Sequence, residues 1–213
     1  MPINPTYSSE PENQVEFTAE FDSFYTRFAR IYDWMVRYLP IWRTWLKRTL
    51  PYIQGDRVLE VSFGTGYLLT QFADRFQAFG IDYNAAMTKT AKENMKRKGM
   101  SADLQRADVV HLPYANHCFD TLVNTLAFSG YPDGKSALTE MGRVLRPGGR
   151  LVLVDISYPK NYNRLGVALT RFWMASGDII RDMGALFEES GWVYREEEIG
   201  GFGSVHLYVA QVS

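Results

Sequence analysis

The feature that most constrains this chain is a single stretch, Arg57-Val58-Leu59-Glu60-Val61-Ser62-Phe63-Gly64-Thr65-Gly66-Tyr67-Leu68-Leu69. A short, β-branched apolar run ends in an acid, a glycine-bearing turn follows, and an apolar helical pattern begins. Val58 to Val61 reads as a buried strand. Gly64 and Gly66 let the backbone turn tightly and leave room for a ligand beside it. The helix that starts near Gly66 presents free N–H groups to an anion. A chain carrying strand, glycine turn and helix in that order reads as an α/β unit with room for a ligand at the strand's C-terminal end. Such a turn also occurs without any ligand, so the segments that follow it decide its meaning.

Ala78-Phe79-Gly80-Ile81-Asp82 is a second strand that again ends in an acid. Asp82 lies 18 positions after Gly64, close to the offset of about 20 expected of an acid that accepts from ribose hydroxyls. Tyr83 beside it is placed to lie against an adenine face. Asn84 caps a helix over Ala85 to Lys98, which Gly99 ends. Asp103 to Asp108 reads as a third strand and its exit. There the Asp108 carboxylate and the Val109 N–H match an adenine's amino group and ring nitrogen, against the plainer reading of Asp108 as a turn former. Phe119 to Leu126 is a fourth strand, with Asn124 and Thr125 at its C-terminal end. Ser136 to Leu145 is helical, Arg146-Pro147-Gly148-Gly149 turns, and Arg150 to Ile156 is a fifth strand. Asn161 to Gly191 holds helical sequence broken at Gly177-Asp178. Glu196 to Ile199 and Ser204 to Val212 alternate like an antiparallel pair.

Ahead of the glycine turn, residues 1 to about 17 are polar and proline-dotted and read as a loosely attached tail. From Phe21, a helical stripe of Phe24, Phe28, Ile31, Met35 and Leu39 runs to Pro40. A second helix follows over Ile41 to Leu50. Between Arg27 and Arg48 stand six basic residues and one acid, Asp33. Basic and aromatic residues interleaved on an amphipathic helix suit an anionic lipid surface, as they also suit a solvated face.

At 213 residues the chain is long enough for one full α/β domain. A formal net charge of -1 gives no global field for nucleic acid. One cysteine, Cys118, excludes an internal disulfide framework and fits a reducing, cytoplasmic setting. His111, His117 and His206 lack metal-ligand spacing. No apolar run reaches the length of a spanning helix, and no secretory leader is read at the N-terminus.

Taken in order, VLEVSFGTG, GIDYN, the AD before VVHLPY, FDTLVNTLAF and above all EMGRVLRPGGRLVLVD resemble a class I S-adenosylmethionine-dependent methyltransferase. Within that family the chain is most similar to the ubiquinone/menaquinone-biosynthesis and lipid methyltransferase groups, a similarity resting also on FARIYDWMVRYLPIWRTWLK. The resemblance implies a Rossmann-like, doubly wound α/β sheet of seven strands with an antiparallel last strand, helices on both faces and an N-terminal helical lid. The expected division is a tail over residues 1–20 and one methyltransferase domain over 21–213, with the lid at 21–52 and the core at 53–213.

The same resemblance implies S-adenosyl-L-methionine as cofactor. Glu60 would stand near its methionine amino group. Gly64, Thr65 and Gly66 would lie along the methionine moiety, and Ser62 belongs to the same cofactor-binding set. Asp82 and Tyr83 would hold the ribose and flank the adenine, Asp108 and Val109 would read the adenine, and Asn124 and Thr125 would approach the methionine end. Ser62-Phe63 departs from the family, which has glycine and then a small residue there. Ser62 costs little if its dihedrals are ordinary, while Phe63 either narrows the pocket or anchors the core. The function expected is methyl transfer to a small, lipophilic acceptor, with weak peripheral membrane contact and no nucleic-acid partner. No residue is assigned as catalytic base, although Tyr25, Tyr32, His111 and Tyr158 stand as candidates by position. Asn124-Thr125-Leu126-Ala127 replaces the Asn/Asp-Pro-Pro-Tyr/Phe motif, which argues against nucleobase or glutamine amides. The competing readings are a cofactor-binding subunit without its own chemistry and a nicotinamide-dependent oxidoreductase.

Overall fold

The computed structural model describes residues 5–23, 26–27 and 40–212. Seven strands form one sheet in the order β3-β2-β1-β4-β5-β7-β6. They are β1 (Arg57–Val61), β2 (Gln77–Asp82), β3 (Asp103–Arg106), β4 (Phe119–Thr125), β5 (Leu145–Ile156), β6 (Trp192–Gly200) and β7 (Val205–Val212). β1 to β5 run parallel, and β7 pairs antiparallel with both β5 and β6. The strand order reverses at β1, whose neighbours are β2 and β4. Ligands of open α/β sheets bind at such a point, outside the strands' carboxyl ends.

The helices are α1 (residues 14–23), α2 (Pro40–Lys47), α3 (Leu69–Phe72), α4 (Ala85–Arg97), α5 (Gly134–Val144), α6 (Arg164–Ala175) and α7 (Met183–Glu189). α4, α5, α6 and α7 each begin at an Asn or Asp whose side chain accepts a backbone N–H of the first turn, worth typically about 1 kcal/mol apiece.

Alternation along the central strands sorts the core into two faces. Leu59, Val61, Leu122 and Leu151 pack with Leu138 and Met141 of α5 and Phe187 of α7. On the other face, Val58, Val123 and Leu104 meet Leu69, Phe72 and Ala91 of α3 and α4, and Val152, Val154 and Leu207 meet Trp45 and Val167.

Element boundaries differ from the sequence reading in physical ways. The helix expected over Tyr67 to Arg75 is α only at Leu69–Phe72. The Arg146 to Gly149 turn is absorbed into β5, where Phe119 pairs with Leu145 before the register shifts at Thr121. At the N-terminus, residues 14–23 are helical where a tail was expected. Upstream of them Ser8 exchanges backbone N–H and side-chain hydrogen bonds with Ile180. The stripe of Phe24, Phe28, Ile31, Met35 and Leu39 lies outside the described residues.

Candidate active site

β1 delivers the glycine turn to the sheet's carboxyl edge. Ser62 and Phe63 donate their N–H groups to the Ile81 carbonyl of β2, which bends the chain over the strand end. Ser62 has φ 57° and Gly64 φ 54°. The Ser62 dihedrals are therefore not ordinary: it occupies the left-handed region that favours glycine. Gly66, at φ 73°, packs so closely on α4 that a Cβ would stand 3.0 Å from Ala91 Cβ.

Phe63 does not line the cavity beside this turn. It is buried in the core between β2 and α4. The ring is accommodated because residue 80 is glycine. The pocket-narrowing reading is replaced by the core-anchor one.

A cavity of about 540 Å³ opens beside this turn, within the range of small-molecule sites. Of the residues expected at the cofactor, Ser62, Gly64, Asp82, Tyr83, Asp108, Val109 and Thr125 line it. Glu60, Thr65, Gly66 and Asn124 do not; they lie behind it. Thr65 gives its carbonyl to Asn94 Nδ2 of α4. Glu60 is fully buried, its carboxyl pushed well up by desolvation and held partly down by the Leu69 N–H. Asn124 reaches the cavity only through its Nδ2 bond to Tyr131 Oη.

Asp82 accepts from Gly64 N at 2.8 Å and Asn84 N at 2.9 Å. It thereby ties the glycine turn to the end of β2. Burial pushes its carboxyl up to about 6, against the two N–H groups that pull it down, and Asp22 of α1 adds like-charge repulsion. Tyr83 is exposed, with the Arg106 guanidinium over its ring. Asp108 accepts from Val110 N at 3.1 Å, so it both forms its turn and faces the cavity.

Several lining residues were not expected. Gln14, Val15, Thr18, Phe21 and Asp22 of α1 cover one side. Tyr131 and Asp178 line the cavity as well. Ser129 Oγ lies 2.8 Å from Asp178 Oδ1 and 3.0 Å from Asp155 Oδ1 at the end of β5, and its single proton serves one of the two carboxyls at a time. Burial pushes Asp155 up to about 6 and Asp178 upward. The signal for Tyr131 was present in Tyr131-Pro132-Asp133, a turn sequence just past β4. His111 lines the cavity. Tyr158 instead donates to the Thr6 carbonyl outside it. Tyr25 and Tyr32 lie outside the described residues. Cys118 is partly buried with its thiol pushed up by desolvation, which suits a filler rather than a nucleophile. Among the described residues no group of His, Cys, Asp and Glu is arranged to hold a metal.

The residues fit a nucleoside bearing an amino acid. The acids at the ends of β2 and β3 offer acceptors to hydroxyls and an amino group. Two buried side-chain oxygens, Glu60 Oε2 and Asn124 Oδ1, have no hydrogen-bond partner among the described residues, just behind the cavity at the ends of β1 and β4.

A family model described as a methyltransferase domain matches residues 59–153. The ubiquinone/menaquinone biosynthesis C-methyltransferase of Teredinibacter turnerae is 32% identical over 164 residues, covering 73% of this chain and 64% of that protein. The phosphatidylethanolamine N-methyltransferase of Cereibacter sphaeroides is 34% identical over 113 residues, covering 51% and 56%. The chain thus spans less than two thirds of the length of these relatives. Among solved structures, a possible histamine N-methyltransferase from Thermotoga maritima superposes with a TM-score of 0.70 at 16% identity, covering 89% of this chain and 98% of that one, a likeness of fold.

Proposed function

On the premise that the core of this chain is a class I S-adenosylmethionine-dependent methyltransferase domain resembling those of quinone and lipid methyltransferases, we propose that it transfers a methyl group from S-adenosyl-L-methionine to a small lipophilic acceptor. The observation that carries this reading is the cavity at the β1/β2/β4 edge, where Asp82 and Gly64 are joined and Ser62, Asp108 and Thr125 converge. Asp82 would hold the ribose, Asp108 and Val109 the adenine, and the glycine turn the methionine moiety. When bound, the cofactor supplies a methyl group already activated on a sulfonium. The protein's part is then alignment, which can be worth about 7–11 kcal/mol, and exclusion of water.

The acceptor's character is read from the rest of the wall. Val15, Phe21, Val110, Leu126 and Pro132 give the cavity apolar lining, alongside Asp178 and His111. An apolar body with one polar or acidic reacting group suits that division, as in the quinone precursors on which the first of these relatives is named to act. Asp178 and His111, both lining the cavity, are candidates to take a proton from such a group. Peripheral membrane contact through the basic stretch belongs to the same proposal in a reduced form. Arg43 bonds Tyr67 Oη and Arg48 pairs with Glu197, Arg27 and Lys47 are exposed, and Arg30 and Arg37 lie outside the described residues. No described helix is long and apolar enough to cross a membrane.

The test is a titration with S-adenosyl-L-homocysteine together with a label-transfer assay over demethylated quinones and phosphatidylethanolamine. Binding with labelled product supports the reading. Binding without transfer to any acceptor supports the non-catalytic alternative, and absence of binding removes the cofactor itself.

A further inference from the structure

Ser62 Oγ and Tyr131 Oη stand 2.6 Å apart, and both residues line the cavity. Tyr131 Oη also takes a hydrogen bond from Asn124 Nδ2 at 2.8 Å, and the other Asn124 N–H goes to the Val61 carbonyl at 2.9 Å. The protons can be counted. An amide has two N–H donors, and both are used. The Ser62–Tyr131 contact consumes one of the two hydroxyl protons, whichever residue donates. The second hydroxyl proton has no acceptor among the described residues. Burial pushes the Tyr131 hydroxyl upward, so the phenol keeps its proton and the count holds at neutral pH.

Two further facts make this spare donor more than a packing accident. Ser62 adopts φ 57°, a conformation glycine would take without strain. The chain thus carries strain to place a hydroxyl there. The cavity also has a one-sided charge. Among the described residues, Asp22, Asp82, Asp108, Asp133 and Asp178 line it with His111, and no Lys or Arg does. A ligand carboxylate in such a site has to be met by neutral donors. The acids at the ends of β2 and β3 mark the nucleoside side, and Ser62 and Asn124 sit across the switch point at the ends of β1 and β4.

We propose that the Ser62–Tyr131 pair, oriented by Asn124, is a neutral donor site for the carboxylate of the cofactor's amino-acid end. Ser62 makes the contact and Tyr131 is its positioning residue. This rests on the methyltransferase reading above, and it assigns to the departure from glycine a binding role.

Three probes separate the possibilities by titration calorimetry: S-adenosyl-L-homocysteine, its decarboxylated form S-adenosyl-3-thiopropylamine, and 5′-methylthioadenosine, which lacks the whole amino-acid head. Ser62→Ala and Ser62→Gly should each weaken S-adenosyl-L-homocysteine about tenfold or more and leave the other two within about twofold. Tyr131→Phe should lose in the same selective pattern. Ser62→Gly relieves the backbone, so a loss in it that matches Ser62→Ala arises from the hydroxyl and not from a disturbed turn. Equal losses for all three probes, or no loss for S-adenosyl-L-homocysteine, overturn the proposal. A loss shared by the decarboxylated probe moves the contact to the amino group and overturns it as well. A wild-type protein that binds none of the three overturns the methyltransferase reading and this proposal together.

Discussion

A Cβ on Gly80 would stand 2.6 Å from Cδ1 of Phe63, so the aromatic residue in the turn and the glycine in the neighbouring strand require each other. Leu104 Cδ2, 2.9 Å from the same point, closes the other side. Phe63 therefore fills a slot in β2 that glycine leaves open, under the ligand turn rather than inside its pocket.

Gly80→Ala should accordingly destabilise the protein by about 1–3 kcal/mol through overpacking, and Phe63→Ala by about 3–5 kcal/mol through the void it leaves. In the double variant, Gly80→Ala should cost less than it does alone, because the ring it struck is gone. Urea unfolding of the four proteins in a cycle measures this coupling. Additive losses would show that the contact is relieved elsewhere.

Asp82 links the site to pH. Its carboxyl is pushed up to about 6 by burial in the ligand-free protein, whereas the unfolded chain titrates near 3.9. Between those values the folded chain holds a proton that the unfolded chain has released. Its contribution to stability is therefore present below the unfolded value and is lost as pH rises through about 6. Cofactor binding should run the opposite way, since ribose hydroxyls need the ionised acceptor. At pH 5 about one Asp82 in eleven is ionised, so affinity for S-adenosyl-L-homocysteine should be about tenfold weaker than at pH 7. Asp82→Ala should cost about 1–3 kcal/mol of binding at pH 7 and flatten the profile. A profile unchanged in that variant would exclude Asp82 as its source.

Arg181 braces the opposite wall. It is buried, and its guanidinium donates to the Tyr131 carbonyl at 2.5 Å and the Phe128 carbonyl at 3.4 Å. Arg181→Met keeps the apolar stem but leaves these carbonyls without their donor, at about 1–3 kcal/mol of stability. The segment it holds carries Tyr131, so S-adenosyl-L-homocysteine affinity should fall together with the melting temperature. Undiminished affinity in a destabilised variant would show that the wall keeps its shape without the brace.

The sheet and the acids at its edge were legible because their signals are local. Apolar runs gave β1, β2, β4 and β5, and a strand-terminal acid marks itself, as Asp82 does. What escaped depends on partners distant in sequence. Phe63 reads as an intruder until Gly80 is seen beside it, 17 positions on. The φ of Ser62 follows from the N–H bond to Ile81, and the importance of Tyr131 from its contact with Ser62. Asp155, Ser129 and Asp178 come from three separate segments that only the fold assembles. Residues 14–23 carry few apolar side chains, because their helix gains its burial from the cavity wall and not from a core of its own.

That helix supplies the last prediction. Asp22 accepts from Asn84 Nδ2 at 2.9 Å, through its side chain, and at 3.0 Å through its carbonyl. Asn84 is also the cap of α4, so α1 is fastened to the residue that starts the helix after β2. Phe21 lies within 3.0 Å of the Cβ position of Gly130 and 3.5 Å of that of Gly177, spanning the cavity from the β4 side to the Asp178 side. A helix fastened near its C-terminal end beside a cavity that it also lines governs entry to it. Phe21→Ala should raise KM for a lipophilic acceptor several-fold more than it raises the dissociation constant of S-adenosyl-L-homocysteine. Removal of residues 1–23 should abolish transfer while cofactor binding persists within about tenfold, since the nucleoside acids lie in the core. Asp22→Asn supplies an independent readout: without the like charge beside it, Asp82 ionises more easily, and the midpoint of the binding profile moves to lower pH. Equal losses of acceptor and cofactor in Phe21→Ala, with an unmoved midpoint in Asp22→Asn, would mean that α1 does not close over this site in solution.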